Sequence, residues 1–293
     1  MNRTIKRIDY TWLSLHIHFS GDANALLRQA IAPFISSWKG YLSPDSPWFF
    51  IRYWEGGSHI RLRFNVNPAH HKSITESLDN DFLQFSSTSF KIEKVLIANY
   101  NPEVNRYGNG KSIAWAERYF ATSSSYILNW LLKMNGHKQP TSQAIQLHLV
   151  LLYHSGLKLC KIIILCDFFI NGWLPRLYRK GFPMEQEKEY WLNQFEQIFL
   201  PKKEMICLAA SSFWASIAGD ILNEELTQYS ISCREIMDIY HAEAFSEFKF
   251  QEIISSLMHM TNNRLGIGNQ EEAYLLYVVK NCMISIAQAD QSN

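Results

Sequence analysis

The sequence has no apolar run long enough to form a membrane-spanning helix. Its longest apolar stretch, residues 159–170, is interrupted by Lys161 and Asp167, whereas a span requires roughly 20 residues. Residues 1–12 are partly basic and lack the apolar segment that is typical of signal peptides. We therefore expect a cytoplasmic protein without a membrane span.

A marked excess of charge of either sign is also missing. The chain has 28 basic and 27 acidic residues, which gives a formal net charge of +1. This balance excludes a general electrostatic attraction to nucleic acid or to an anionic membrane surface, so any cationic site must be local. With 293 residues, of which 47% are hydrophobic, the chain is long enough to bury a core.

Cysteines are few and show neither CxxC spacing nor a histidine at ligand spacing. We interpret all of them as reduced residues of the core. The sequence also lacks a GxGxxG loop, a Walker lysine loop, HExxH, GxSxG and a kinase signature. We therefore predict no metal and no cofactor. The cysteines are Cys160, Cys166, Cys207, Cys233 and Cys282.

A β-hairpin pattern is present at residues 48–64. Two runs rich in aromatic and β-branched residues flank a pair of glycines, which can supply the positive φ angles of the connection. In the second run, alternation places apolar residues on one face and His59, Arg61 and Arg63 on the other. This basic row has two interpretations: the solvated face of a half-buried strand, or a site that binds a carboxylate or another oxyanion.

Strand patterns precede helical ones along the chain. We therefore predict an α+β fold in which an N-terminal antiparallel sheet with helices is packed against a mostly helical C-terminal half. We treat residues 1–293 as one domain, with a strand-rich part (1–110) and a helical part (111–293). Strands are also predicted at 12–19 and 90–100, and helices at 22–38, 73–85, 113–132, 143–169, 187–199, 204–221, 232–248 and 250–265.

Three further sets of polar residues are candidates for function. His16 and His18 alternate with apolar residues in strand 12–19; we interpret them as polar sheet positions, since no third metal ligand is spaced near them. Glu103 and Arg106 lie on a loop rich in Pro, Asn and Gly, where they form either a local salt bridge or part of a site. His259 lies on a polar stripe of helix 250–265 that faces either solvent or a cavity, and histidine suits acid–base chemistry.

Residues 50–64, 102–108 and 259–265 together resemble one family. They are similar, in order and type, to segments of the C-terminal elimination domain of class I lanthipeptide dehydratases, also called the thiopeptide-type bacteriocin biosynthesis domain. The resemblance covers roughly residues 10–285. It implies a lyase that eliminates glutamate from glutamylated Ser or Thr of a ribosomally made precursor peptide, leaving dehydroalanine or dehydrobutyrine.

The resemblance also implies the site residues. Arg63 and Arg106 would hold the glutamyl group, Arg61 would assist, and His259 would transfer the proton. Glu103 would orient an arginine. Arg52 and His59, in the same hairpin, are further substrate-binding candidates.

The chain departs from the family pattern because a glutamylation domain is missing. We therefore expect a stand-alone protein that works with a separate glutamylation protein. A homodimer is a candidate assembly. One alternative is the related branch that forms pyridine rings in thiopeptides by a formal [4+2] cycloaddition of two dehydroalanines. Another is a non-catalytic subunit that binds the precursor peptide.

Overall fold

The computed structural model describes residues 9–82, 85, 87–133 and 139–291. The chain divides into two compact units, one formed by Met1–Glu103 with Ala116–Asn135 and the other by Val104–Trp115 with Gly136–Asn293. The first unit contains a four-stranded antiparallel sheet and the second is mostly helical. The predicted α+β class is confirmed.

The sheet of the first unit has the strand order β2-β3-β1-β4. The predicted hairpin is confirmed, and its two glycines have positive φ angles of 76° and 99°. Cross-strand pairs place Leu15 opposite Leu62 and Ile17 opposite Ile60, and all four are fully buried. The strands are β1 (Thr11–Gly21), β2 (Trp48–Tyr53), β3 (His59–Val66) and β4 (Phe90–Ala98).

Helices of the first unit contact both faces of this sheet. On the apolar face, the ring of Phe34 lies 5.8 Å from that of Phe64. On the other face, Phe120 lies 5.3 Å from Phe49. These helices are α1 (Ala23–Leu26), which continues through a π-helical turn (Leu27–Ile31) into α2 (Ala32–Trp38), then α3 (His71–Asp81) and most of α4 (Ser112–Leu132).

The second unit consists of helices and short 3-10 turns. The single helix predicted at 143–169 is wrong, because Gly156 has a φ of +64° and divides it in two. The last helix was not predicted, although Leu276, Val279 and Met283 recur at helical spacing and are buried. The helices are α5 (Pro140–His154), α6 (Leu159–Trp173), α7 (Met184–Phe199), α8 (Lys203–Ala218), α9 (Glu224–Ala242), α10 (Glu247–Leu265) and α11 (Asn269–Gln291).

All five thiols are free, and four of them are buried as predicted. Cys160 is exposed, so its assignment to the core is wrong. It lies in the first turn of α6, where the helix still faces solvent on that side. Among the helices in the described ranges, none combines the length and apolar character that crossing a membrane would need.

Candidate active site

The basic row of β3 is not a solvated face. His59 and Arg63 are only 3% and 8% exposed, so that interpretation is wrong for both. Arg61 donates from Nε to His59 Nε2 at 3.3 Å, and its guanidinium lies 3.4 Å from the centre of the Tyr53 ring. His59 in turn contacts the turn carbonyl of Gly57 through Nδ1 at 2.8 Å. The cationic and imidazole side chains of this row are therefore held in fixed positions by their neighbours.

Arg63 lies in an aromatic enclosure within the first unit. Its guanidinium is 4.5 Å from the Tyr100 ring centre and 5.1 Å from that of Phe49. Burial lowers its pKa to about 10, against the opposing effects of Tyr100, Glu117 and Glu103, so the group stays charged at neutral pH. Glu103 is thus within electrostatic range of Arg63; that it orients an arginine stays a prediction.

Two buried polar atoms beside this enclosure have no partner among the described residues. They are Arg63 Nε and Ser14 Oγ, on residues that lie directly opposite each other in β3 and β1. Buried polar groups are normally hydrogen-bonded, because an unpaired one carries its full desolvation cost. The pair therefore favours the anion-site interpretation of the basic row.

Glu117 of α4 was not identified from the sequence. It accepts hydrogen bonds from the side chains of Tyr100 and Trp12 and interacts electrostatically with Arg63. Burial raises its pKa, which these hydrogen bonds and Arg63 partly offset. Nothing in the helical spacing of α4 distinguishes Glu117 from a surface carboxylate, so only its tertiary neighbours reveal it.

His16 and His18 join the same face. The rings of both stack on His59, with centroids 5.0 and 4.6 Å away. Burial lowers the pKa of His16 to about 4, and neighbouring Arg61 contributes to the shift, so this imidazole is neutral at physiological pH. Within the described residues, no group of three or more His, Cys, Asp or Glu is placed to hold a metal ion.

Arg52 lies on the opposite face of the sheet. It is paired in register with Ile60, whereas Arg61 is paired with Ile51 and Arg63 with Phe49. Its guanidinium donates to Asn24 Oδ1 of α1 at 2.6 Å, and burial lowers its pKa to about 10. The structure therefore does not bring Arg52 together with the other arginines of the hairpin.

Arg106 lies in the second unit, on a short 3-10 turn, Val104–Tyr107, that several contacts hold in place. Tyr107 is buried, and its carbonyl accepts from the hydroxyls of Ser112 and Tyr240. Asn109 caps the start of α4 by accepting from the backbone N–H of Ser112 at 3.1 Å. These hydrogen bonds fix the backbone of the loop that carries the Arg106 guanidinium.

A cleft of about 270 Å³ opens beside Arg106 within the second unit. Arg106 Nε donates to Ser256 Oγ of α10 at 3.1 Å. His259 follows one turn later on the same helix face. The lining residues are Arg106, Phe168, Trp173, Lys249, Glu252, Ser255, Ser256 and His259.

Four members of the polar stripe of α10 line this cleft: Glu252, Ser255, Ser256 and His259. The other two, Asn262 and Asn263, are 0% and 8% exposed, so they are buried in the protein and not solvated. The hydroxyl of Ser255 has no hydrogen-bond partner among the described residues, although it is buried at the cleft wall. A hydroxyl, an imidazole and a guanidinium thus line one small volume.

His259 is held tightly at the cleft. Its side chain is 14% exposed, and its ring stacks on Trp173 with a centroid distance of 4.5 Å. Nδ1 lies 2.8 Å from Oε1 of Glu272, a carboxylate that is fully buried. Neither Trp173 nor Glu272 was identified from the sequence; Glu272 was missed because α11 itself was not predicted.

The sequence comparison identifies the family. Residues 12–283 match the family model described as lantibiotic biosynthesis dehydratase C-term. The chain belongs to this family. The resemblance inferred from the hairpin, the loop and the histidine helix is therefore confirmed. A comparison with curated proteins finds no match.

Solved structures with the same fold include enzymes of lantibiotic and thiomuracin biosynthesis. The tRNA-dependent lantibiotic dehydratase MibB from Microbispora sp. 107891 has a TM-score of 0.63 at 16% identity over 99% of this chain. This family member spans 29% of the length of MibB. The pyridine synthase TbtD has a TM-score of 0.69 at 11% identity, covering 95% of this chain and 99% of TbtD. TsrL has a TM-score of 0.64 at 13% identity, covering 95% and 96%.

Arg61 and Arg63 belong to the first unit of this dehydratase C-terminal fold, whereas Arg106 and His259 belong to the second. Within each unit, the structure brings the two named residues onto one surface: Arg61 and Arg63 onto one face of the sheet, and Arg106 and His259 into one cleft. The convergence of both sets on one substrate stays a prediction.

Proposed function

We propose that the protein is a peptide lyase that eliminates glutamate from glutamylated Ser and Thr residues of a ribosomally made precursor peptide. The observation that carries this proposal is the shared cleft of Arg106 and His259. Membership of the dehydratase C-terminal family supports it. The product would be dehydroalanine from Ser and dehydrobutyrine from Thr.

The reaction is a β-elimination. A base removes the α-proton, the resulting electron pair forms the Cα=Cβ bond, and the Cβ–O bond breaks so that glutamate leaves as its carboxylate. Negative charge develops on the peptide carbonyl oxygen and on the departing carboxylate. Preorganised cationic donors at those two positions lower the barrier, by on the order of 3 kcal/mol for one donor.

The candidate residues match these demands. His259 would exchange the proton, because an imidazole can act as both acid and base near neutral pH. Arg106 and Arg63 would hold the glutamyl group, Arg61 would assist, and Glu103 would orient an arginine. His59 would contribute to the same basic face as Arg61.

The proposed partners are a precursor peptide and a separate protein that glutamylates it. The reaction needs no redox cofactor and no metal, because it moves one proton and one carboxylate. We place it in the cytoplasm, where glutamylated peptide would be made.

The test is a reconstitution with a chemically prepared peptide that carries a glutamyl ester on one serine. If the protein catalyses elimination, dehydroalanine and free glutamate should appear in equal amounts. Both products are measured by mass spectrometry, and the alkene is also detected by thiol addition. The unesterified peptide is the matched control and should not react. If the ester stays intact or is merely hydrolysed to serine, the elimination proposal is wrong; binding without any product would instead favour a peptide-binding subunit.

A pyridine-forming cyclase is the second candidate. It is favoured by the full-length correspondence with TbtD, which is described as a pyridine synthase and of which this chain covers 99%. A peptide containing two dehydroalanines distinguishes the candidates. Cyclisation with loss of the leader would divide that peptide into two products, whereas the lyase would leave it unchanged.

A further inference from the structure

Glu272 lies behind His259, on the side away from the solvent. Its side chain is fully buried at the first turn of α11. Its Oε1 and Oε2 lie 2.8 and 3.1 Å from Nδ1 of His259. An ionised carboxylate can only accept hydrogen bonds, so in that form Glu272 accepts from the Nδ1–H of His259.

A second layer of hydrogen bonds orients this carboxylate. Asn262 Nδ2 donates to Glu272 Oε2 at 3.2 Å, and Asn262 Oδ1 lies 2.8 Å from His148 Nε2. Burial lowers the pKa of His148 to about 4, so this imidazole is neutral at physiological pH and donates from Nε2 to the amide oxygen. The chain of donors therefore runs from His148 through Asn262 to Glu272.

The same arrangement immobilises the His259 ring. Trp173 stacks on it with an angle of 29° between the planes, and the Arg176 guanidinium lies 3.7 Å from the Trp173 ring centre. The ring is therefore fixed in plane by the stack and in rotation by the carboxylate. Nε2 is then the ring nitrogen available for proton exchange in the cleft.

We propose that Glu272 is a positioning residue for this reaction: it holds His259 in the tautomer with hydrogen on Nδ1, leaves Nε2 as the proton acceptor, and stabilises the imidazolium that forms when Nε2 takes the substrate proton. This inference rests on the proposed elimination. A carboxylate that accepts from one imidazole nitrogen fixes which nitrogen carries the hydrogen, and its negative charge stabilises the imidazolium that forms. Asn262 and His148 hold the carboxylate in turn.

A purely structural role would require only that Glu272 be satisfied by donors, and Glu272→Gln would largely preserve that. The glutamine keeps the shape and an acceptor oxygen but removes the negative charge. We therefore expect kcat for glutamyl-ester elimination to fall about 10- to 100-fold while KM changes less than threefold. Glu271→Gln is the matched control, because Glu271 is the exposed neighbour that only caps Gly268 N–H. An unchanged kcat in Glu272→Gln would overturn the proposal.

A measurement on the unaltered protein makes the test independent of folding of a variant. In ¹⁵N-histidine-labelled protein at a pH where the ring is neutral, the His259 resonances, assigned by their absence in His259→Gln, should show hydrogen on Nδ1 and none on Nε2. Hydrogen on Nε2 would overturn the positioning role even if elimination proceeds. If the expected tautomer is seen but no ester is eliminated, the proposed function fails and the Glu272 contact stands, so the two failures are distinguishable.

Discussion

Arg106 and Ser256 are 150 positions apart in the chain, yet Arg106 Nε donates a hydrogen bond to Ser256 Oγ at 3.1 Å. Ser256 lies one helical turn before His259 on α10. A loop residue and a helix residue therefore present a guanidinium and an imidazole to the same cleft.

Replacement of His259 by glutamine should lower kcat for elimination by about 10²- to 10⁴-fold, since a positioned acid–base group typically contributes that much. Peptide binding, measured by fluorescence anisotropy, should change little. His70→Ala is the control, because His70 contacts Tyr41 in the other unit. Unchanged turnover in His259→Gln would remove His259 from the mechanism.

The change Arg106→Lys should raise KM and lower kcat together, with kcat/KM falling about 10- to 100-fold. A lysine keeps the charge but loses the planar fork that can bond Ser256 and a carboxylate at the same time. Steady-state kinetics on the glutamyl-ester peptide provide the measurement. Arg234→Lys, on the exposed side of α9, should leave kcat/KM as it is; an equal loss in both variants would argue against a specific role for Arg106.

Gly108→Ala should destabilise the loop that carries Arg106. Gly108 has a φ of +115°, and an added Cβ would lie 2.5 Å from Cζ of Phe245. We expect the free energy of unfolding to fall by about 1 to 3 kcal/mol, with a parallel loss of elimination, measured by urea denaturation and by kinetics. Gly110→Ala is the matched control because an added Cβ there meets nothing within 4 Å. Equal stability of the two variants would contradict the strained position of Gly108.

Arg52→Met should affect stability more than catalysis. The substitution removes the donor to Asn24 Oδ1 on the apolar face of the sheet, which should cost about 1 to 2 kcal/mol of unfolding free energy. Folded protein should retain its kcat/KM. Arg28→Met is the control, since Arg28 also contacts Asn24 but through a longer bond of 3.3 Å to the carbonyl. A normal stability with a large rise in KM would instead place Arg52 at the substrate.

We expect the folded protein to lose stability in acid because of His148. Burial lowers its pKa from the ordinary 6.5 to about 4, so the unfolded chain binds more protons than the native state between these values. Neutral His148 therefore contributes up to about 3 kcal/mol to the free energy of unfolding. This contribution is complete above pH 6.5 and is lost as the pH falls towards 4. Urea denaturation at pH 7 and pH 4.5 should therefore show a smaller difference for His148→Gln than for the unaltered protein. An identical difference in both would mean that His148 does not carry this effect.

The outline of the fold followed from local patterns because strand and helix periods depend on neighbouring residues. Alternation in β3 correctly separated Ile60 and Leu62 from Arg61 and Arg63. The break at Gly156 escaped prediction, since one glycine within a helical pattern is compatible with a continuous helix until its φ angle is known. Glu272 was not identified because the helix that carries it, α11, was not predicted.

Local spacing in the chain was sufficient to assign which side chains share a strand face or a helix side, and the order of motifs was sufficient to indicate the family. Whether those sides meet water or protein depended on packing between residues far apart in the chain. The stripe of α10 shows the difference: its polar members were known from a period of 3.6, but Trp173 and Glu272 come from two other helices. Periodicity describes one element at a time, and a catalytic site is made by several.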